Sequence, residues 1–458
     1  MITVDGLPVR PLCAARHNGF PRLRSRSYAA FTRRMRILMV TDFYQPYVGG
    51  VEVVVRSLAH ELSGRGHDVS VATIGGKRLL AYEQDGPVRV HRVRCSTGRL
   101  GALFSQHRPW APPVPDPEAA AGLRRIAASE RPQVVHGHDW LARSFVPLAP
   151  MSDARFLMSL HYYTLSCAKK SLMFRGAPCT GPALGKCIRC GAAHYGRAKG
   201  SAVVLGNFGF AAAERHTVDL FLPVSKAAAL GNGLVDSGLP YEIIPNFVSE
   251  PRRLDTSAQR VLDILPHEPF LLYVGDVRKE KGVDVLLEAF RGLSGAPPLV
   301  LLGKVWPNWL PELPQNVLLL TDWPNAAVRE AQRRCLALVA PSVWPEPFGM
   351  VVIEAHASGR PVIASRIGGL AELVEDGVNG LLVSPGDARA LRSAMTSLVA
   401  DDRLVARLAD QASRSAERFR AEAIVPRFEH AYARTLEGPG RAARRTGLRR
   451  SPENEQRP

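Results

Sequence analysis

The chain has 458 residues, 46% of them hydrophobic and 22% charged, which fills two cores at roughly 100–200 residues per domain. No apolar run reaches the ~18 residues of a membrane span, and residues 1–34 lack the continuous apolar stretch of a signal peptide, so a cytoplasmic protein is expected. There, seven cysteines argue against a disulfide framework. The net charge of +17 suits anionic ligands such as nucleotide diphosphates, and peripheral contact with the inner face of an anionic membrane. Part of it sits at the ends: residues 1–34 carry seven Arg and one Asp, and residues 438–458 six Arg and two Glu. Both ends lack periodicity and are expected to be disordered. An organelle transit peptide and a nucleic-acid arm are alternative readings of residues 1–34. The simpler one starts translation at Met35, and no nucleic acid is expected as a partner.

Ordered patterning starts at Arg36. Arg36–Asp42 (RILMVTD) predicts a buried strand, 43–50 a loop closed by Gly49 and Gly50, and Val51–Ser63 a helix with apolar residues at helical spacing. Two glycines before a helix N-terminus allow close backbone approach to an anion, or only a tight turn. Short strands follow at 68–72, 88–93, 133–136 and 156–161, with a helix at 117–129. His138 and His161 fall at strand ends. Residues 162–199 read as an insert of low periodicity that cannot bury much apolar surface. It holds Cys167, Cys179, Cys187 and Cys190. The two-residue spacer of Cys187 and Cys190 lets both thiolates reach one ion, so a structural four-sulfur zinc site is expected, with free thiols or a disulfide as alternatives. The longest apolar stretch, 202–213, predicts a short helix against a core. A strand at 220–225, a helix at 226–234 and a strand at 241–246 complete the first domain, 35–246.

The crossing to the second domain, 247–420, is placed at 246–254. A strand at 270–275 leads through the loop 276–282 (DVRKEKG) to a helix at 283–290. Strands at 299–303 and 317–320 and a helix at 325–334 come next. The region 336–387 then carries the densest signal. A short apolar strand ends at Pro341-Ser342, Glu346-Pro347-Phe348-Gly349 breaks it, and a helix runs over 350–356 until Gly359-Arg360-Pro361. That turn aims the N–H groups of Gly349, Met350 and Val351 outward at a helix N-terminus, an anion site framed by Glu346 and Glu354. Ionised carboxylates there suit hydroxyl-rich ligands. Helices at 388–400 and 419–436 end the pattern.

The stretch 339–387, through Pro341-Ser342, Glu346-Pro347-Phe348-Gly349, Glu354-Ala355, Gly359-Arg360-Pro361-Val362, Gly368-Gly369, Glu372 and Gly380, resembles the C-terminal signature of the retaining glycosyltransferases of family 4. The resemblance thins but extends from about Arg36 to Val425. It implies the GT-B fold: an α/β architecture of two Rossmann-like doubly wound domains facing across a cleft, with a C-terminal helix (421–437) crossing back to the first domain. It implies a nucleotide-diphosphate-sugar donor, no organic cofactor and no catalytic metal. Glu346 would contact the sugar hydroxyls and Glu354 the ribose. His161 would contact the sugar from the cleft floor, and Gly49-Gly50 would lie against the phosphates. Phe348 and the amides of 349–351 complete the donor set. Lys281 matches the family's diphosphate lysine. The arginine usual directly after Gly275 is replaced by Asp276, and Arg278 is a candidate substitute.

No Asp-x-Asp occurs, so cations and helix N-termini, rather than a divalent ion, are expected to hold the diphosphate. The function implied is transfer of a hexosyl group to a hydroxyl acceptor, with His161, Lys281 and Glu346 as the catalytic set. A sugar-nucleotide 2-epimerase and a silent sugar-binding relative are the alternatives.

Overall fold

The computed structural model describes residues 33–438 except 48, 77–78, 99–109, 250–255, 294, 307–308 and 310–311. The two expected disordered ends, apart from 33–34 and 438, and residues 250–254 of the predicted crossing lie outside the described residues.

Two sheets organise the chain. The first runs β3-β4-β2-β1-β5-β6-β9, from β1 (Arg36–Val40), β2 (Asp68–Ile74), β3 (Tyr82–Asp85), β4 (Val88–Val93), β5 (Val134–Gly137), β6 (Arg155–Leu160) and β9 (Leu220–Pro223). All pairs are parallel except β3 with β4. Ile37 pairs with Val69 on one side and Val134 on the other. Helices cover both faces, so the central strands are buried on both sides rather than alternating. β3 (YEQD) is a polar, partly exposed edge that hydrophobic patterning does not reveal.

The second sheet, wholly parallel, runs β12-β11-β10-β13-β14-β15. It contains β10 (Leu271–Val274), β11 (Leu299–Leu302), β12 (Val317–Leu320), β13 (Ala337–Ala340), β14 (Val362–Ser365) and β15 (Gly380–Val383). This is the expected pair of Rossmann-like domains. The helix Ala421–Glu437 returns to the first one. Its Ile424, Phe428, Ala431 and Tyr432 pack with Ile37, Leu58, Val71 and Val134, His67 Nε2 meets Glu429 at 3.0 Å, and the Tyr432 hydroxyl meets His136 Nδ1 at 2.8 Å. The outgoing and returning chains run side by side, where Val248 N–H donates to Phe419 O at 2.9 Å.

Two expectations are corrected. Residues 241–246 make only a bridge, Tyr241 to Phe221, plus bonds from Glu242 and Ile244 N–H to Phe221 O and Pro223 O. Pro240 just before the segment and Pro245 within it lack the N–H a ladder needs. The insert is not an irregular loop either. A small hairpin, β7 (Met173–Phe174) with β8 (Ala177–Pro178), precedes helices Leu184–Tyr195 and Arg197–Thr217. The helices cross so closely that a Cβ on Gly200 would lie 2.2 Å from Gly191 O. That approach, with Val203, Val204, Ile188 and Tyr195 packed on the first domain's core, gives the insert the apolar burial its sequence did not advertise.

Candidate functional site

The carboxyl ends of parallel strands, where ligands of open α/β sheets gather, supply most of the site. In the second domain β13 ends at Pro341-Ser342, and the chain turns through 343–349 into the helix Met350–Ala357. After β10, the turn Lys279–Lys281 comes alongside. Lys281 Nζ lies 2.6 Å from Glu346 Oε1, and the Ser342 hydroxyl donates to the same oxygen at 2.7 Å. Burial opposes ionisation of Glu346, but Lys281 and Ser342 overcome it and hold its carboxyl below the usual range. Gly349 caps the helix at φ +120°, where a Cβ would sit 2.6 Å from Leu370, so only glycine fits. Val352 N–H bonds Gly349 O at 3.0 Å, and with no side-chain cap the N–H groups of Met350 and Val351 lack an intrahelical acceptor. Glu354, on that helix, receives a long 3.4 Å contact from Gln332 Nε2. Burial raises its pKa against the pull of Arg329 and Gln332.

The turn is gripped from both domains. Gly369 N–H donates to Glu346 O at 2.7 Å. From the first domain the Tyr163 hydroxyl donates to Pro345 O at 2.7 Å, and the Ser225 hydroxyl to Pro347 O. The Glu372 carboxylate accepts from Lys226 N–H at 3.0 Å and Ala227 N–H at 2.7 Å. Trp344 packs with Tyr163 and Met173 of the insert. Phe348, expected among the donor contacts, is instead 3% exposed and edge-on to Phe419, so it supports the turn from behind.

His161, just after β6, is buried at the sheet's ligand end. Its Nε2 lies 3.1 Å from His138 Nδ1, and the two rings stack. Burial lowers the pKa of His161 to about 4 and that of His138 well below its usual value, so both are neutral at pH 7. Neither lines the cleft cavity described next. Gly49 is the N-cap of the helix Gly50–Gly64, and that helix's Val51 and Glu52 do line it.

This cavity, of 360 Å³, lies between the domains. Asp42 and Asp139, at the ends of β1 and β5, form its floor with Lys170, whose Nζ is 2.6 Å from Asp139 and 3.6 Å from Asp42. Burial, then the Asp139 charge, push the Asp42 pKa up to about 7 against the pull of Lys170. Sequence reasoning missed this trio. The strand-end positions of the aspartates are the signal that could have found two of its members; Lys170, from the insert, has none. The two cations of the loop 276–282 part company: Lys281 meets Glu346, while Arg278 lies along Trp306 in the cavity wall, 5.0 Å from the ring centre. Asp276 turns aside and accepts from the Trp306 indole at 3.0 Å.

The four cysteines of the insert line a separate void of about 20 Å³. As their side chains stand they are free thiols, and among the described residues no three ligating groups are placed to share an ion. Cys179 and Cys190 point their S–H groups at Gly181 O and Met173 O. The four sulfurs of the expected zinc set are therefore gathered around one void, beside the helix crossing at Gly191 and Gly200.

Two facing nucleotide-type domains with a C-terminal helix returning to the first define the GT-B fold. Family models match one domain each: a glycosyl transferase 4-like domain over residues 49–232, and glycosyl transferases group 1 over residues 256–415. The chain belongs to this glycosyltransferase family. It is 28% identical to a glycogen synthase of Mycobacterium tuberculosis, over 80% of this chain and 86% of that one. It is 26% identical to a D-inositol 3-phosphate glycosyltransferase of Xylanimonas cellulosilytica, over 85% and 94%. Its fold is similar to that of sucrose-phosphate synthase from Thermosynechococcus elongatus, with TM-score 0.67 and 21% identity over 88% of this chain and 99% of that one. It is also similar to HepE from Anabaena, solved with UDP-glucose, with TM-score 0.63 and 18% identity over 88% and 100%. Among the described residues no helix is long and apolar enough to cross a membrane.

Proposed function

We propose that the chain moves a hexosyl group from a nucleotide-diphosphate sugar to a hydroxyl acceptor, with retention at the anomeric carbon and without a catalytic metal. The observation that carries this reading is the Lys281–Glu346 pair beside the uncapped start of the helix Met350–Ala357. Lys281 and the amides of 349–351 would neutralise charge growing on the departing diphosphate. Glu346, kept ionised, would accept from sugar hydroxyls, and Glu354 from the ribose. In the reaction the acceptor oxygen bonds the anomeric carbon as its bond to the diphosphate oxygen breaks. The acceptor's proton passes to the leaving phosphate on the same face. His161, neutral and next to His138, would orient the sugar by a hydrogen bond rather than by charge. Closure through Tyr163, Ser225 and Glu372 would exclude water from the donor. HepE, with its UDP-glucose complex, is a fold relative that supports the donor class. Asp276, which stands where the family usually carries arginine, accepts from the Trp306 indole at 3.0 Å.

The test is incubation of the full chain with uridine, guanosine and adenosine diphosphate sugars and mixed sugar acceptors. Free nucleoside diphosphate with a new glycoside is expected. Donor binding without turnover across the panel would refute the reading.

A further inference from the structure

The insert brings sulfurs from separate pieces of backbone to one place. Cys167 stands in the turn before β7, Cys179 directly after β8, and Cys187 and Cys190 one turn apart on the helix Leu184–Tyr195. All of them line the same void of about 20 Å³, which has room for a single water-sized occupant. The sulfurs are close enough to feel one another's charge: Cys167 that of Cys190, and Cys190 those of Cys179 and Cys187.

The backbone around Cys167 is arranged for a charged sulfur. Burial raises the Cys167 pKa, and the N–H groups of Leu172, Lys169 and Ser171, all donated to its sulfur, oppose that. Lys170 and Leu172 reach this arrangement at φ +63° and +53°, left-handed backbone that residues other than glycine seldom adopt. A neutral thiol is a weak acceptor and gains little from such a cradle, whereas a thiolate is well served by it. Burial likewise raises the pKa of Cys190, and Lys169 and Lys186 pull it the other way. A dication held by thiolates on all sides stays anionic as a whole, and these two lysines are placed to balance it.

We propose that Cys167, Cys179, Cys187 and Cys190 bind one zinc ion as thiolates, in a closed structural site. Binding turns the sulfurs about their Cα–Cβ bonds toward the void, away from Gly181 O and Met173 O, at which Cys179 and Cys190 otherwise point. One proton leaves each thiol as the ion enters, so binding tightens with rising pH. Soft sulfur ligands select zinc over the oxygen-preferring Mg²⁺ and Mn²⁺. With every position filled by the protein, the ion takes no part in transfer.

What the ion would hold in place follows from the bonds of Cys167. Its N–H donates to Tyr163 O at 2.8 Å, Lys170 N–H donates to Cys167 O at 2.9 Å, and Tyr163 N–H donates to Lys170 O at 3.3 Å. This closed turn presents the Tyr163 hydroxyl to Pro345 O, beside Glu346, and Lys170 to Asp139. The zinc thus pins to the helix Leu184–Tyr195 the turn through which the first domain grips the second.

Elemental analysis of the full chain, purified without a metal-affinity tag and dialysed free of loose metal, should find about one zinc per chain. Cys187→Ser and Cys190→Ser should each lower that content about tenfold or more and lower the melting temperature. Chain produced with cobalt in place of zinc should show the strong visible absorption of tetrahedral, sulfur-bound cobalt, and Cys190→Ser should not. Trypsin should cut within residues 169–189 roughly tenfold faster in the variants than in the zinc-loaded wild type. Wild-type protein without bound metal, stoichiometric iron in place of zinc, or a disulfide between any two of these cysteines would overturn the proposal. So would zinc retained in both variants. The wild-type metal content decides the matter even where a variant fails to fold, and none of these readings depends on turnover, so a failure of the transferase reading would leave them standing.

Discussion

Lys281 Nζ and Glu346 Oε1 lie 2.6 Å apart, although 65 residues separate them in sequence. The pair joins the loop after β10 to the turn after β13, adjacent strands of the second sheet. Lys281 keeps Glu346 ionised, and together they stand where sugar meets diphosphate in the proposed site.

Removing either partner should therefore cost about the same. Glu346→Gln and Lys281→Ala should each lower kcat by roughly 10²-fold, and the double variant should be little worse than either single one. Steady-state kinetics on the three variants checks this. Additive losses would show that the two residues act independently.

Glu354→Gln should act differently. Glu354 pairs with Gln332 rather than with Lys281 and is proposed to hold the ribose, so the donor KM should rise about tenfold with kcat little changed. A kcat loss at unchanged KM would move Glu354 into the chemical step.

Much of the second domain was legible. The glycine, proline and glutamate pattern from Pro341 to Gly380 marks a strand–turn–helix with an anion pocket, because Gly349 meets a local steric demand that sequence alone conveys. Glu346 and Glu354 stand at the turn and on the helix that this pattern marks, and they remain the proposed ligand carboxylates. What stayed hidden depends on which residues meet across the cleft. Neither Tyr163 on Pro345 O nor Lys170 between Asp42 and Asp139 leaves a local periodicity. Phe348 looked like a ligand contact because the turn was visible and Phe419 was not. The insert was misread because its burial comes from backbone approach at Gly191 and Gly200, which hydrophobicity patterns do not record. The four clustered cysteines suggested a metal site, and the structure gathers them around one void.

Tyr163→Phe should loosen the insert's hold on the donor turn. One buried hydrogen bond is lost, worth about 1 kcal/mol of stability, and the donor KM should rise severalfold because Pro345 precedes Glu346 directly. Melting curves and donor kinetics measure both. Unchanged donor kinetics would make the contact merely structural.

Stability should fall on acidification from pH 7 towards pH 4. His161 and His136 have folded pKa values of about 4 and about 3, below the unfolded 6.5, and His138 is also well below it; burial is the leading cause in each case. The unfolded chain thus binds protons first as pH drops through 6.5, and the native state loses ground until its own pKa values are reached. Asp42 works in the opposite sense. Its folded pKa of about 7 lies above the unfolded 3.8, so protonation of the native state between those values favours folding. Asp42→Asn removes that offset, and its urea-denaturation midpoint should drop more steeply with acid than the wild type's. A flat profile from pH 7 to pH 5 in the wild type would contradict the burial of neutral imidazoles.

The central claim, donor transfer at the Lys281–Glu346 pair with retention and without metal, is tested most directly by proton NMR of the reaction in EDTA, starting from α-linked nucleotide sugars. The account predicts equal amounts of nucleoside diphosphate and an α-glycoside, formed by the wild type and largely lost in Glu346→Gln. A β-glycoside, a C2-epimerised nucleotide sugar, or turnover that appears only when Mg²⁺ or Mn²⁺ is restored would contradict it.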